Sequence, residues 1–174
     1  LKVLEKDGSG KIKNMIKGME WILANHQKYG IRIVNISVGM PVKNIENPEE
    51  DILVKKVEAL WDAGMVVVVA AGNDGPAPHT ITSPGTSRKV ITVGTGKEAG
   101  NEYSGQGPVL GSCICKPDII APAANILSCD NHGKSYKRRS GTSMATPIVA
   151  GTVAILLSSE QLLSNRDVKI RLMQ

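Results

Sequence analysis

The seven residues Met65-Val66-Val67-Val68-Val69-Ala70-Ala71 constrain the fold of this 174-residue chain more than any other stretch. A strand with one wet face alternates apolar and polar side chains, because successive side chains point to opposite faces. This run does not alternate. Both of its faces must be covered, which is the condition of a strand inside a parallel sheet.

The rest of the chain supplies the cover. From Lys11 to Tyr29, apolar residues recur at Ile12, Met15, Ile16, Met19, Ile22 and Leu23, the spacing of an amphipathic helix, and Gly30 is placed to end it. Pro48 to Ala63 reads as a second helix, with Pro in its first turn, acidic residues following and Gly64 closing it. Thr142 to Ser159 is apolar on nearly all sides and reads as a central helix, and Asn165 to Met173 as a last one. Ile31 to Val38 and Lys89 to Val93 read as strands, with shorter ones at Asp118 to Ala121 and Asn125 to Cys129 around Pro122. Leu1 to Leu4 reads as a short strand or its tail, and Asp7-Gly8-Ser9-Gly10 as a turn. Helices alternating with strands predict an α/β fold: three layers, a mainly parallel β-sheet with helices on both faces. No repeat or low-complexity linker interrupts residues 1–174, so a single domain is expected. Aromatic residues make up 3% of the chain and Phe is absent, so its core is built from Val, Ile, Leu, Ala and Met.

Composition excludes some functions. The net charge is +5, and the densest basic cluster, Lys134 to Arg139, contains Tyr136 but little else suited to reading bases. It reads as a solvated loop, and no nucleic-acid partner is expected. No apolar run is expected to reach the length of a membrane span, no membrane partner is expected, and the N-terminus does not resemble a signal peptide. Neither a Gly-x-Gly-x-x-Gly turn nor a phosphate loop is present, which argues against a nucleotide-binding domain. The three cysteines, Cys113, Cys115 and Cys129, are odd in number; Cys-x-Cys is poorly spaced for a mutual disulfide, and no His accompanies them at zinc-ligand spacing. Free, structurally incidental thiols are favoured over a bridge or a metal site.

Chemistry concentrates in Ser140-Gly141-Thr142-Ser143-Met144-Ala145-Thr146-Pro147-Ile148-Val149. Ser143 sits among small residues where a loop gives way to an apolar helix. Small neighbours let a carbonyl approach, and a helix start directs N–H groups at developing negative charge. Three further segments accompany it in order: Asn35-Ile36-Ser37-Val38-Gly39, Ala70-Ala71-Gly72-Asn73-Asp74-Gly75 and Lys116-Pro117-Asp118-Ile119-Ile120-Ala121-Pro122.

Together these four segments resemble the subtilisin-like serine peptidases, in order and spacing, over nearly the whole chain. The resemblance implies that Ser143 is the nucleophile and that Asn73 donates its amide to the oxyanion beside the Ser143 N–H. It implies that Ser37, Val38 and Gly39 pair with an extended peptide by strand addition. It implies that Ala70, Ala71 and Gly72, with Thr82, line the pocket for the residue before the cut. It also implies an Asp and then a His before the Ser in chain order, and both are expected upstream of Leu1.

No residue of this chain replaces them. Asp7-Gly8 falls where the family has a surface turn before a helix. His26 reads as helix surface, His79 as a solvated loop residue, and His132-Gly133 as a hairpin turn. Ile148 stands where many relatives carry His, and Ala123 where Gly is usual; neither departure touches the roles implied for Ser143 and Asn73. The expectation is the C-terminal part of a serine endopeptidase domain, acting through an acyl-enzyme on Ser143 once completed and inactive alone. The alternative is a pseudoprotease or peptide-binding scaffold of the same fold, which would need neither Ser143 nor Asn73. The expected partners are a protein or peptide substrate, the missing N-terminal part of the domain and, for the fragment alone, a second copy of itself. No cofactor is evident in the residues; the resemblance implies calcium in the complete domain, its ligands partly outside this chain.

Overall fold

The computed structural model describes residues 1–5, 9–42, 51–96, 102–130 and 135–174. Four strands form one parallel sheet in the order β1 (Ile33–Ile36), β2 (Val66–Ala70), β3 (Ile91–Gly94), β4 (Ile119–Ile120). Ile33 pairs with Val66, Val68 with Ile91 and Val93 with Ile119. Every residue of β2 is buried.

Alternation in β2 divides the core into two layers. Val66 and Val68 pack on one side with Ile91, Val93, and Ala145, Val149, Val153 and Leu157 of helix α3 (Thr142–Ser159), joined by Val168 of α4 (Asn165–Met173). Val67 and Val69 pack on the other side with Met19 of α1 (Ile12–Tyr29) and Leu53, Val57 and Leu60 of α2 (Ile52–Asp62). The result is the expected three-layer α/β fold with helices on both faces.

Local chemistry sets most element ends. Gly30 takes the left-handed conformation, φ 62°, and closes α1. Ser164 and Asp167 cap α4 reciprocally. Described residues of α2 begin at Ile52, capped by the Asp51 side chain accepting from Leu53 N–H; Pro48, expected in its first turn, lies outside the described residues. Leu1 to Leu4 makes a single bridge, Leu4 to Gly10, rather than a strand, and Asp7 and Gly8 lie outside the described residues. The segment after Pro122 forms an antiparallel pair, β5 (Ile126–Cys129) with β6 (Tyr136–Arg139), which reaches into the basic cluster read as a loop.

One apolar run is longer than the sequence reading expected. The 18 residues of α3 are long and apolar enough to cross a membrane by length and composition, with a mean hydropathy of 1.4. A third of that window, Thr142, Ala145, Thr146, Val149, Val153 and Leu157, is buried in the fold, while Ile148 and Ile155 stay exposed.

Candidate active site

The parallel sheet brings the carboxyl ends of β1 and β2 to the same edge, the edge at which α/β sites form. Ser37 to Gly39 continue from β1, and Ala71 to Asn73 from β2. The start of α3 arrives beside them. Gly141 precedes it at φ 143° and ψ 157°, backbone territory that a side chain makes costly. A Cβ there would sit 3.5 Å from Asn73 Nδ2. The Gly141 N–H is held by the Ala123 carbonyl at 3.1 Å.

Asn73 is fixed by the helix it faces. Its Oδ1 accepts from the Thr142 N–H at 3.0 Å and from the Thr142 hydroxyl at 3.1 Å. Gly141 offers no side chain to cap α3, so Asn73 does so from 69 residues away. With Oδ1 engaged, the two N–H groups of Nδ2 are left for another acceptor. The Ser143 N–H is a further first-turn donor without an intrahelical acceptor. Asn73 Nδ2 and the Ser143 N–H are thus two donors at the N-terminal end of α3.

The Ser143 hydroxyl donates to the Ser37 carbonyl at 2.7 Å, across 106 residues of sequence. A carbonyl can accept this hydrogen bond but cannot take the proton, so the bond holds the hydroxyl without activating it. His26 and His79 are both engaged elsewhere, through Nδ1 to the Leu23 and Pro108 carbonyls, each at 2.8 Å. His132 lies outside the described residues. Pro147 inside α3 has no N–H to give the Ser143 carbonyl.

The remaining predicted residues lie at the carboxyl ends of β1 and β2 or just beyond them. Ser37 and Val38 are half-buried and Gly39 is exposed. Ala70 and Ala71 are buried, 4% and 0% exposed, while Gly72 is half-buried at φ 98°. The Ala71 carbonyl accepts from Thr82 N–H at 2.9 Å and the Gly72 carbonyl from Gly105 N–H at 2.8 Å. Thr82 is wedged between the two glycines: a Cβ on Gly39 or on Gly72 would come within 2.5 Å of its side chain. Met40 and Ser83 then exchange hydrogen bonds of 3.0 and 2.9 Å, tying the β1 extension to the Thr82 loop. The fold brings the expected Ser143 and Ser37 together, and sets Asn73 against the start of α3. Sequence reasoning missed Thr142 as the group that orients Asn73, and the Met40–Ser83 tie, because neither pair has a local signature.

Among the described residues no group of three or more His, Cys, Asp or Glu is placed to hold a metal ion. The calcium implied for the complete domain finds no cage among them.

Residues 1–174 match the family model of the subtilase family. The chain is 39% identical over 194 aligned residues to the serine protease AprX of Bacillus subtilis, covering 97% of this chain and 44% of that protein. It is 34% identical over 172 residues to subtilisin E of the same species, covering 99% of this chain and 42% of the relative. Among solved structures, sphericase superposes with a TM-score of 0.83 at 26% identity, covering 99% of this chain and 57% of that one. The chain therefore spans about half the length of the relatives it matches. By its matched length and its fold, this chain belongs to the subtilase family.

Proposed function

We propose that this chain, as one domain over residues 1–174, carries the nucleophile and oxyanion half of a serine endopeptidase. The observation that carries the reading is the arrangement at the start of α3: Ser143 Oγ on the Ser37 carbonyl and Asn73 Oδ1 on Thr142, with donors spare beside them. In the proposed reaction a peptide lies along Ser37, Val38 and Gly39, with its side chain before the cut toward Ala70, Ala71, Gly72 and Thr82. Ser143 Oγ leaves the Ser37 carbonyl and attacks the scissile carbonyl carbon. Its proton passes to a general base. The oxyanion is held by Asn73 Nδ2 and the Ser143 N–H. The amine leaves with that proton, and water resolves the acyl-enzyme by the reverse path.

The base and its orienting acid are proposed to come from a segment outside these 174 residues. Hydrogen bonding supports this: the partner of Ser143 Oγ is a carbonyl, which cannot serve as a base.

A chromogenic peptide assay tests both halves of the reading. The chain alone is expected to show no turnover. Joined to the segment that precedes it in its full coding sequence, it is expected to cleave, and Ser143→Ala should abolish cleavage. Turnover by the chain alone that Ser143→Ala removes would overturn the need for a further segment. A completed protein that binds peptide yet never cleaves would instead favour the scaffold reading.

A further inference from the structure

Cys113 and Cys115 lie on one arm of a short hairpin beside the sheet. The Gly107 N–H donates to the Lys116 carbonyl and the Val109 N–H to the Ile114 carbonyl, both at 2.9 Å, in one antiparallel register. The Ser112 N–H and hydroxyl both return to the Val109 carbonyl, at 3.0 and 3.1 Å, and Gly111 takes φ 73° to make the turn. Side chains alternate along such an arm. Ile114 packs inward on Ala71, Ile81 and Val109, and Lys116 is buried. Cys113 and Cys115 therefore share the outer face, and both are exposed and free.

Spacing decides what these thiols can do together. Residues two apart on an extended arm have Cα atoms about 6.6 Å apart, and on one face their Cβ atoms are nearly as far. A disulfide needs Cβ atoms about 3.5–4.5 Å apart, so a direct sulfur–sulfur bond does not fit. A bridging atom does. Two collinear thiolate–metal bonds of about 2.3 Å span roughly 4.6 Å between sulfurs, a gap the side chains close by leaning together. No third His, Cys, Asp or Glu joins them in a group among the described residues, so a four-coordinate ion is poorly served. Soft thiolates select soft ions, Cu(I) among them.

We propose that Cys113 and Cys115 form a two-thiolate site for Cu(I). Each thiol releases one proton to solvent as its sulfur binds. Copper enters as Cu(I) and leaves as Cu(I), so no electron moves. The site stands on the outer face of the hairpin whose inner face, through Ile114, packs on Ala71.

The test is anaerobic competition for Cu(I) against bicinchoninate, with ascorbate present, on the 174-residue chain. Wild type and Cys129→Ser are expected to take one copper per chain with equal affinity. Cys113→Ser and Cys115→Ser are each expected to bind at least about ten-fold more weakly. All three substituted positions are exposed, and matching thermal melts without copper will show that the variants fold. Wild-type affinity in Cys113→Ser or Cys115→Ser overturns the site, as does a loss in Cys129→Ser or one copper per two chains. A Cys113–Cys115 disulfide formed readily under mild peroxide overturns the spacing argument on which it rests.

Discussion

Asn73 does two things with the two ends of one amide. Oδ1 caps α3 through Thr142, and Nδ2 is the proposed oxyanion donor. Substitution can separate them. Asn73→Ala loses both, and the lost cap should cost about 1 kcal/mol of stability. Asn73→Asp keeps an oxygen for the Thr142 N–H, and its charge suits a helix N-terminus, so stability should stay near wild type. It supplies no donor and repels an oxyanion. In the proposed completed enzyme both variants should therefore lose turnover, with KM little changed. The size expected, about 10²–10³ in kcat, is borrowed from the subtilisin asparagine that serves as the standard case of such a donor. Chemical denaturation and initial rates on the same preparations check the split. Asn73→Asp with wild-type turnover would remove Nδ2 from the mechanism. Ser143, Asn73 and Ser37 could be picked out as candidates because each lies in a short contiguous motif. Thr142 was not, since its hydroxyl and N–H find Asn73 only after the fold brings the two together.

At the scale of elements, periodicity carried most of the reading. The ends of α1, α3 and α4 agree with the sequence to within a residue, and β2 to within one at each end. Edges were less legible. β1 pairs over Ile33–Ile36, opposite Val66–Val69, rather than over Ile31 to Val38. β6, Tyr136–Arg139, is exposed at all four positions and so has no apolar alternation to betray it. Equally hidden was the network that fastens α4 to the sheet. Lys116 Nζ meets Asp118 Oδ2 at 2.5 Å and the Val90 carbonyl at 3.0 Å. Lys169 of α4 meets Asp118 Oδ1 at 3.2 Å and the Arg88, Lys89 and Val90 carbonyls. Asp118 also accepts from the Thr92 N–H at 2.7 Å. Burial pushes the Lys116 ammonium from 10.5 down to about 8, Asp118 opposing and Lys169 adding to the shift. The sign for stability follows. Between about pH 8 and 10.5 the unfolded chain keeps a proton that folded Lys116 has released, so this group makes stability rise with pH there. Below pH 8 both states hold the proton and the slope vanishes. Urea midpoints measured from pH 7 to 10.5 should therefore climb more steeply in wild type than in Lys116→Met. Equal slopes would show that Lys116 does not titrate in that window.

For the whole molecule, the sheet stands open at its β1 edge among the described residues. β1 pairs with β2 alone among the described residues, and its outer edge borders an apolar groove of about 500 Å³ lined by Leu1, Val3, Met15, Met19, Ile22 and Ile36. A second hollow of about 500 Å³ lies between β1 and α3, lined by Ile33, Ala154, Leu157 and Leu162. On α3 and just beyond it, Ile148, Ile155 and Leu162 face outward at 38%, 71% and 101% exposure. An open strand edge beside apolar surface is a template for another chain. The proposed completing segment would cover it; a second copy can do so in its absence. The 174-residue chain alone should therefore show a mass that rises with concentration in size-exclusion chromatography with light scattering. Burying one Ile is worth about 1.5–3 kcal/mol, so a charge at this surface should weaken association by about tenfold or more. Ile155→Glu should shift the chain toward monomer without lowering its thermal stability, because the side chain it replaces packs on little of its own chain. Joining the preceding segment of the coding sequence should give a monomer that melts higher than either piece, since cover that binds only the folded state stabilises it. A chain that stays monomeric at every concentration, and melts no higher once joined, would show that this surface is already finished and would remove the physical support for a completing segment.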